Sequence, residues 1–253
     1  KTHFVDITKL DIVEAAITPK TKMIWYSSPC NPTGTLYTKS ELRSLADVIA
    51  KYPQLIVISD EIYEHINFVG KHESLAQFSD IYDQVVTVNG LSKAFAMTGW
   101  RLGYIGAPVW LAKACVKMQG QITSGTCSIA QRAAIAALNA PASVTYEMRD
   151  AFKKRRDLMV EGFRKMDGVK INVPEGAFYL FPDVSSFFGK SCNGTVVKDA
   201  DDFALFLLSE AEVATVSGTA FGDPTCIRIS YAASEVELIE AISRISKALK
   251  KLE

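Results

Sequence analysis

The sequence runs to 253 residues, with 28 Lys+Arg against 28 Asp+Glu and a formal net charge of zero. At 48% hydrophobic and 22% charged it has an ordinary globular composition, long enough for one large domain or two modest ones. Neutrality argues against a chain built to coat nucleic acid or an anionic membrane, and no apolar run approaches the roughly 18 residues of a membrane span. Five cysteines (Cys30, Cys115, Cys127, Cys192, Cys226) are odd in number and never in CxxC spacing. Reduced thiols in a cytoplasmic protein are expected, rather than a zinc cluster or a disulfide scaffold.

The chain opens on Lys1 without Met, and residues 4–7 read as a strand running straight into a helix over 9–17. That opening predicts a piece of a longer protein lacking its amino-terminal part. Residues 22–27 (KMIWYS) read as a buried strand, followed by the turn-rich Ser28-Pro29-Cys30-Asn31-Pro32-Thr33-Gly34. A helix is predicted over 38–51, with Thr38 as N-cap and Glu41 completing a capping box. Continuous apolar strands follow at 55–59 (LIVIS) and 85–89 (VVTVN), ending in Asp60-Glu61 and Gly90-Leu91-Ser92-Lys93, with a short strand at 103–107. Helices are expected near 109–118 and 129–139. Apolar strands joined through helices predict an α/β fold, a mostly parallel sheet sandwiched by helices.

Asn139-Ala140-Pro141-Ala142 marks a predicted boundary, dividing a domain over 1–140 from a smaller α+β domain over 141–253. The second part reads as a long amphipathic helix (144–166), strands (169–173 and 177–182), a helix (200–210), strands (213–216 and 226–230) and a closing helix (234–249). The cations Lys153-Lys154-Arg155-Arg156 point in different directions on a helix, so a solvated helix face is expected, not a nucleic-acid patch.

Several patterns clear quickly. Gly189-Lys190-Ser191 resembles the end of a phosphate loop, but the required first glycine is Val184. Asn193-Gly194-Thr195 is a glycosylation sequon, expected to be chance if the protein never enters the secretory path. A GxSxG hydrolase needs a histidine after its serine, and His3, His65 and His72 all precede Ser92. No HExxH is present, so no metal site is expected. What remains is a set of polar residues where strands end, the place where α/β sheets take ligands. Asn31 follows the first strand, Asp60 and Tyr63 the second, Ser92 and Lys93 the third, and Arg101 comes eight positions after Lys93. Each alone has a plain explanation: a turn, a helix cap, a surface cation. Together they expect an amide, a carboxylate, a phenol, a hydroxyl and an amine around one crevice. A lysine near an arginine in an apolar setting suits Schiff-base chemistry.

Asn31-Pro32-Thr33-Gly34, Ser59-Asp60-Glu61-Ile62-Tyr63, the run from Ser92-Lys93 to Gly99-Trp100-Arg101-Leu102-Gly103, and Ile227-Arg228-Ile229-Ser230-Tyr231 resemble the successive signatures of class I/II aminotransferases. These are pyridoxal-phosphate enzymes of fold type I, and the likeness is to the bacterial aspartate aminotransferase subgroup. The resemblance implies a large cofactor domain, present in part, and a small carboxyl-terminal domain. It implies that Lys93 forms the internal aldimine and shuttles the proton, that Asp60 pairs with the pyridine nitrogen, and that Tyr63 and Asn31 hydrogen-bond the ring's phenolic oxygen. Ser92 and Arg101 would hold the phosphate, and Arg228, with Asn31, the substrate. It further implies ping-pong transamination between an amino acid, aspartate or glutamate, and a 2-oxo acid such as 2-oxoglutarate, in a cytoplasmic homodimer. A carbon–sulfur lyase on the same residues, or a fragment that binds without catalysing, stays open. So does a regulator with an aminotransferase-like domain, although no DNA-binding segment is visible.

Overall fold

The computed structural model describes residues 2–253. The chain packs as two compact units, one comprising residues up to Cys30 with Leu36–Glu147, the other Asn31–Thr35 with Met148–Glu253. In the first, α1 (Leu10–Ala16) precedes β1 (Met23–Ser27), α2 (Lys39–Ile49), β2 (Ile56–Asp60) and β3 (Val85–Gly90). A single-turn α3 (Leu91–Ala94), β4 (Gly103–Gly106), α4 (Val109–Ile122) and α5 (Ser128–Asn139) complete it. The sheet order is β1-β2-β3-β4; β1, β2 and β3 are parallel, and β4 runs antiparallel to β3. α2 begins where the sequence predicts, because Thr38 and Glu41 cap each other's backbone N–H groups. Its apolar face (Leu42, Leu45, Ala46, Val48, Ile49) packs with Val57, Val85, Leu75, Phe78 and Ile81 into one core.

The helical part of the second unit opens with α6 (Tyr146–Arg164), of which all but the first two residues belong here, then β5 (Tyr179–Leu180) and the hairpin β6 (Ser191–Cys192) and β7 (Thr195–Val196). α7 (Ala200–Ala211), β8 (Val216–Ser217), β9 (Ile227–Ser230) and α8 (Glu235–Leu249) follow. β5, β9 and β8 form an antiparallel sheet in that order. Its core is aromatic: Phe187 and Phe203 pack at 5.4 Å between ring centroids, and Phe152 stacks on Phe178 at 5.1 Å. Among the described residues no helix is long and apolar enough to cross a membrane.

Four expectations are corrected. Residues 4–7 form no strand, because the Asp6 carboxylate accepts from the Thr8 backbone and hydroxyl and turns the chain into α1. Residues 169–173 reduce to one bridge, Lys170 with Asp183, before Pro174 ends the pairing. The strand expected at 213–216 starts only at Val216, since Glu212 in the left-handed region and the Val213 N–H close the end of α7. Arg156 is buried rather than solvated and donates to the Pro174 carbonyl, for four consecutive helical positions cannot all face water. The turn Asn193-Gly194, both residues at positive φ, joins β6 to β7 as a tight hairpin.

Candidate active site

In the first unit β2 and β3 run side by side with Asp60 opposite Val88, so the carboxylate and the Gly90–Lys93 turn leave the sheet at one edge. Gly90 makes this turn tight: a Cβ on it would lie 3.0 Å from the Gly103 Cα and the Leu102 carbonyl oxygen, and that backbone would have to give way by a few tenths of an ångström. That close approach lets β4 pair against β3 and brings Arg101 to the start of α3, where the Leu91 N–H donates to the Leu102 carbonyl. Lys93 Nζ lies 5.8 Å from the centre of the Tyr63 ring, over its face. Tyr63 is buried, Asp60, Ser92 and Lys93 are half-buried, and Arg101 is exposed with one N–H donated to the Thr98 carbonyl at 2.8 Å. Arg101 adopts the left-handed conformation (φ 53, ψ 50), a conformation uncommon in L-residues.

Burial pushes the Asp60 carboxyl above the usual aspartate range, and the neighbouring Glu61 charge adds to this; the Ile62 N–H, donating at 3.2 Å, opposes both. No lysine or arginine among the described residues forms an ion pair with Asp60. A half-buried carboxylate lacking a cationic partner suits a ligand that brings its own protonated nitrogen. The carboxylate, phenol, amine, hydroxyl and guanidinium here are the donor set that pyridoxal phosphate needs: ring nitrogen, ring oxygen, aldehyde and phosphate.

Asn31 follows β1 in sequence yet belongs to the second unit, which reading along the chain did not anticipate. There Arg228 Nη1 donates to Asn31 Oδ1 at 3.0 Å. The guanidinium carbon sits 4.8 Å from the Tyr179 ring centre and 4.7 Å from that of Phe221. Two aromatic faces hold the fork, and the alternation of β9 turns it away from the buried Ile227 and Ile229. The sequence offered no signal for Tyr179 or Phe221, since their partner is 49 or 7 residues away and only folding brings the rings to it.

Also unforeseen is a polar cluster behind Asp60. Glu61, Glu64 and His72 each offer a ligand atom, all within 4.8 Å of one another. A cation would have to displace existing donors: Ser59, Ser74 and His72 already contact both Glu61 oxygens, and Asn89 donates to Glu64 at 2.7 Å.

A profile of the family described as aminotransferase class I and II matches residues 4–245. A bifunctional aspartate aminotransferase and glutamate/aspartate-prephenate aminotransferase of Petunia hybrida is 48% identical over 94% of this chain and 51% of its own length. An aspartate aminotransferase of Rhizobium meliloti (strain 1021) is 44% identical over 95% of this chain and 59% of its own. The chain thus spans about half to three-fifths of these relatives' length. Among solved structures, the aspartate aminotransferase from Rhizobium meliloti superposes with a TM-score of 0.92 at 43% identity, over 96% of this chain and 62% of that one. An aromatic aminotransferase from Pyrococcus horikoshii OT3 gives 0.88 at 38%, over 96% and 63%.

Proposed function

The chain belongs to the aminotransferase class I and II family, and from that premise we propose that the whole protein transfers the amino group of aspartate or glutamate to a 2-oxo acid such as 2-oxoglutarate, using pyridoxal phosphate. The observation that carries this reading is the grouping of Asp60, Tyr63, Ser92, Lys93 and Arg101 at one sheet edge, with Asp60 half-buried and lacking a cation. Bound pyridoxal phosphate supplies the aldehyde that receives the amino group and the ring that withdraws electrons from the substrate α-carbon. Asp60 holds a proton on the ring nitrogen, and Tyr63 donates to the ring oxygen. Ser92 and Arg101 bind the phosphate, Arg101 through its planar fork. Lys93 Nζ would be the amine that holds the cofactor's aldehyde, and would serve as the base for the substrate α-carbon proton. Arg228, steadied by Asn31, forks onto the substrate α-carboxylate.

In this reading residues 1–140 belong to the cofactor domain and 141–253 to the small domain of a cytoplasmic homodimer. The free thiols suit a reducing compartment. Exposed Val109, Trp110, Val116 and Ile122 along α4 offer surface of the kind that subunit contacts bury. The names of the relatives above support a dicarboxylic donor. The test is an absorbance spectrum of the whole protein with pyridoxal phosphate, before and after aspartate, with borohydride reduction and peptide mapping. A band that aspartate bleaches, and a pyridoxyl group on Lys93, are expected. A label on Lys113 or Lys117 would remove Lys93 from its role, and faster turnover of phenylalanine than of aspartate would overturn the donor.

A further inference from the structure

Glu61 is a carboxylate only 3% exposed, flanked by Asp60 and followed two positions later by Tyr63. A charge that deeply buried is costly unless it is fully hydrogen-bonded. It is well served: Oε1 accepts from the Ser59 hydroxyl at 2.8 Å and the Ser74 hydroxyl at 2.7 Å, and Oε2 lies 2.9 Å from His72 Nε2. Ser59 in turn meets the Tyr26 hydroxyl at 2.8 Å, so the network reaches back into β1. The Glu61 N–H donates to the Val88 carbonyl of β3 at 2.9 Å.

Residues 61–74 form an irregular loop with no helix or strand of its own, and Tyr63 lies within it. Glu61 stands at the outgoing end, His72 and Ser74 at the returning end. The carboxylate therefore ties the two limbs together at the point where Asp60 leaves the sheet. His72 Nδ1 is buried and has no hydrogen-bond partner among the described residues. An orphaned lone pair is cheaper to bury than an orphaned N–H, so of the two neutral tautomers the one with Nε2–H donating a hydrogen bond to Glu61 fits these contacts better. An amide in place of the carboxylate would present N–H groups to either Nε2 or the serines, and none of those arrangements satisfies every donor.

We propose that Glu61 is a positioning residue, whose buried carboxylate clasps the 61–74 loop through His72 and Ser74 and thereby fixes Asp60 and Tyr63 for the cofactor. This rests on the aminotransferase reading above. The test uses Glu61→Gln in the whole protein, with two kinds of readout. In the cofactor-free protein, hydrogen exchange of the amides in 61–74 should quicken about tenfold while the rest of the chain exchanges as wild type. With pyridoxal phosphate bound, the pH midpoint of the visible absorbance should move, and kcat should fall about tenfold while KM for the amino donor changes less than about twofold. Unchanged exchange, midpoint and kcat, with or without a lower melting temperature, would overturn the positioning role. A wild-type protein that shows no cofactor band would overturn the underlying reading instead, before any variant is compared. Should Glu61→Gln fail to fold, Ser74→Ala keeps the carboxylate and removes one donor. It should shift the same readouts in the same direction by a smaller amount, and the absence of any shift would equally overturn the proposal.

Discussion

Ionising Asp60 works against folding in the cofactor-free protein, because burial raises its carboxyl above the ordinary range. Between the unfolded and folded values the native state binds more protons, so stability falls as pH rises through that window. Asp60→Asn keeps an oxygen for the Ile62 N–H and removes the charge. The cofactor-free variant should therefore melt no lower than wild type at pH 7 by scanning calorimetry. Its turnover should nonetheless drop by several orders of magnitude, about 4 kcal/mol or more of transition-state stabilisation, since an amide cannot hold the ring-nitrogen proton. A variant with near-normal turnover would end the role given to Asp60. Arg228→Lys should raise KM about tenfold for donor and acceptor alike while cofactor affinity stays constant, because a point charge loses the fork. Weakened cofactor affinity with unchanged KM would show that Arg228 meets another anion. Asp60 and Lys93 were legible in the sequence because a polar residue closing an apolar strand is conspicuous. Glu61 was not, since a second carboxylate beside the first looks like any turn until the fold closes around it.

At the scale of elements, the helix caps carried the clearest local signal. Thr38 and Glu41 satisfy orphan N–H groups reciprocally, so the start of α2 could be placed before any packing was known. Thr38→Ala should cost about 1 kcal/mol in urea denaturation. No change would mean that the packed face of α2 alone sets its start. The short strands of the second unit were less legible: a two-residue strand such as β5 depends on β9, a partner far along the chain, and local pattern cannot supply it. Helix ends also set thiol reactivity. Cys127, exposed at the N-cap of α5, has its thiol lowered by the Ala130 and Ile129 N–H groups, whereas burial pushes Cys226 up to about 12. Thiolate forms above the pKa, so Cys127 should alkylate at a pH below that of an ordinary thiol. Cys226 should stay unmodified at pH 8. Mass mapping after brief iodoacetamide treatment that found Cys226 labelled first would contradict this.

At the scale of the whole chain, the unexpected feature is that residues 31–35 leave one compact unit to join the other and then return. Sequence periodicity could not show it, since a turn of Pro, Asn, Thr and Gly has no apolar pattern to read. What holds the excursion is backbone chemistry. The Gly34 carbonyl accepts from the Glu175 and Gly176 N–H groups at 2.8 and 2.9 Å, and Asn172 Nδ2 donates to the Thr33 carbonyl at 3.0 Å. Gly34 sits at φ +70, and a Cβ there would fall 2.5 Å from Pro174 Cβ and 2.8 Å from the Gly176 carbonyl oxygen. Neither neighbour is a flexible side chain that could swing aside. Gly34→Ala must therefore bear both left-handed backbone strain and displacement of the 174–176 segment, on the order of 3 kcal/mol in urea denaturation. Gly189 is the control: it too sits at a left-handed φ (+88), but nothing lies within 4 Å of its would-be Cβ. Gly189→Ala should cost only the backbone strain, about 1 kcal/mol. Equal losses from the two substitutions would mean that the contact with 174–176 adds nothing. A larger loss at Gly34, with KM raised for both substrates through the Asn31 that precedes it by three residues, would tie the excursion to Arg228 and the substrate.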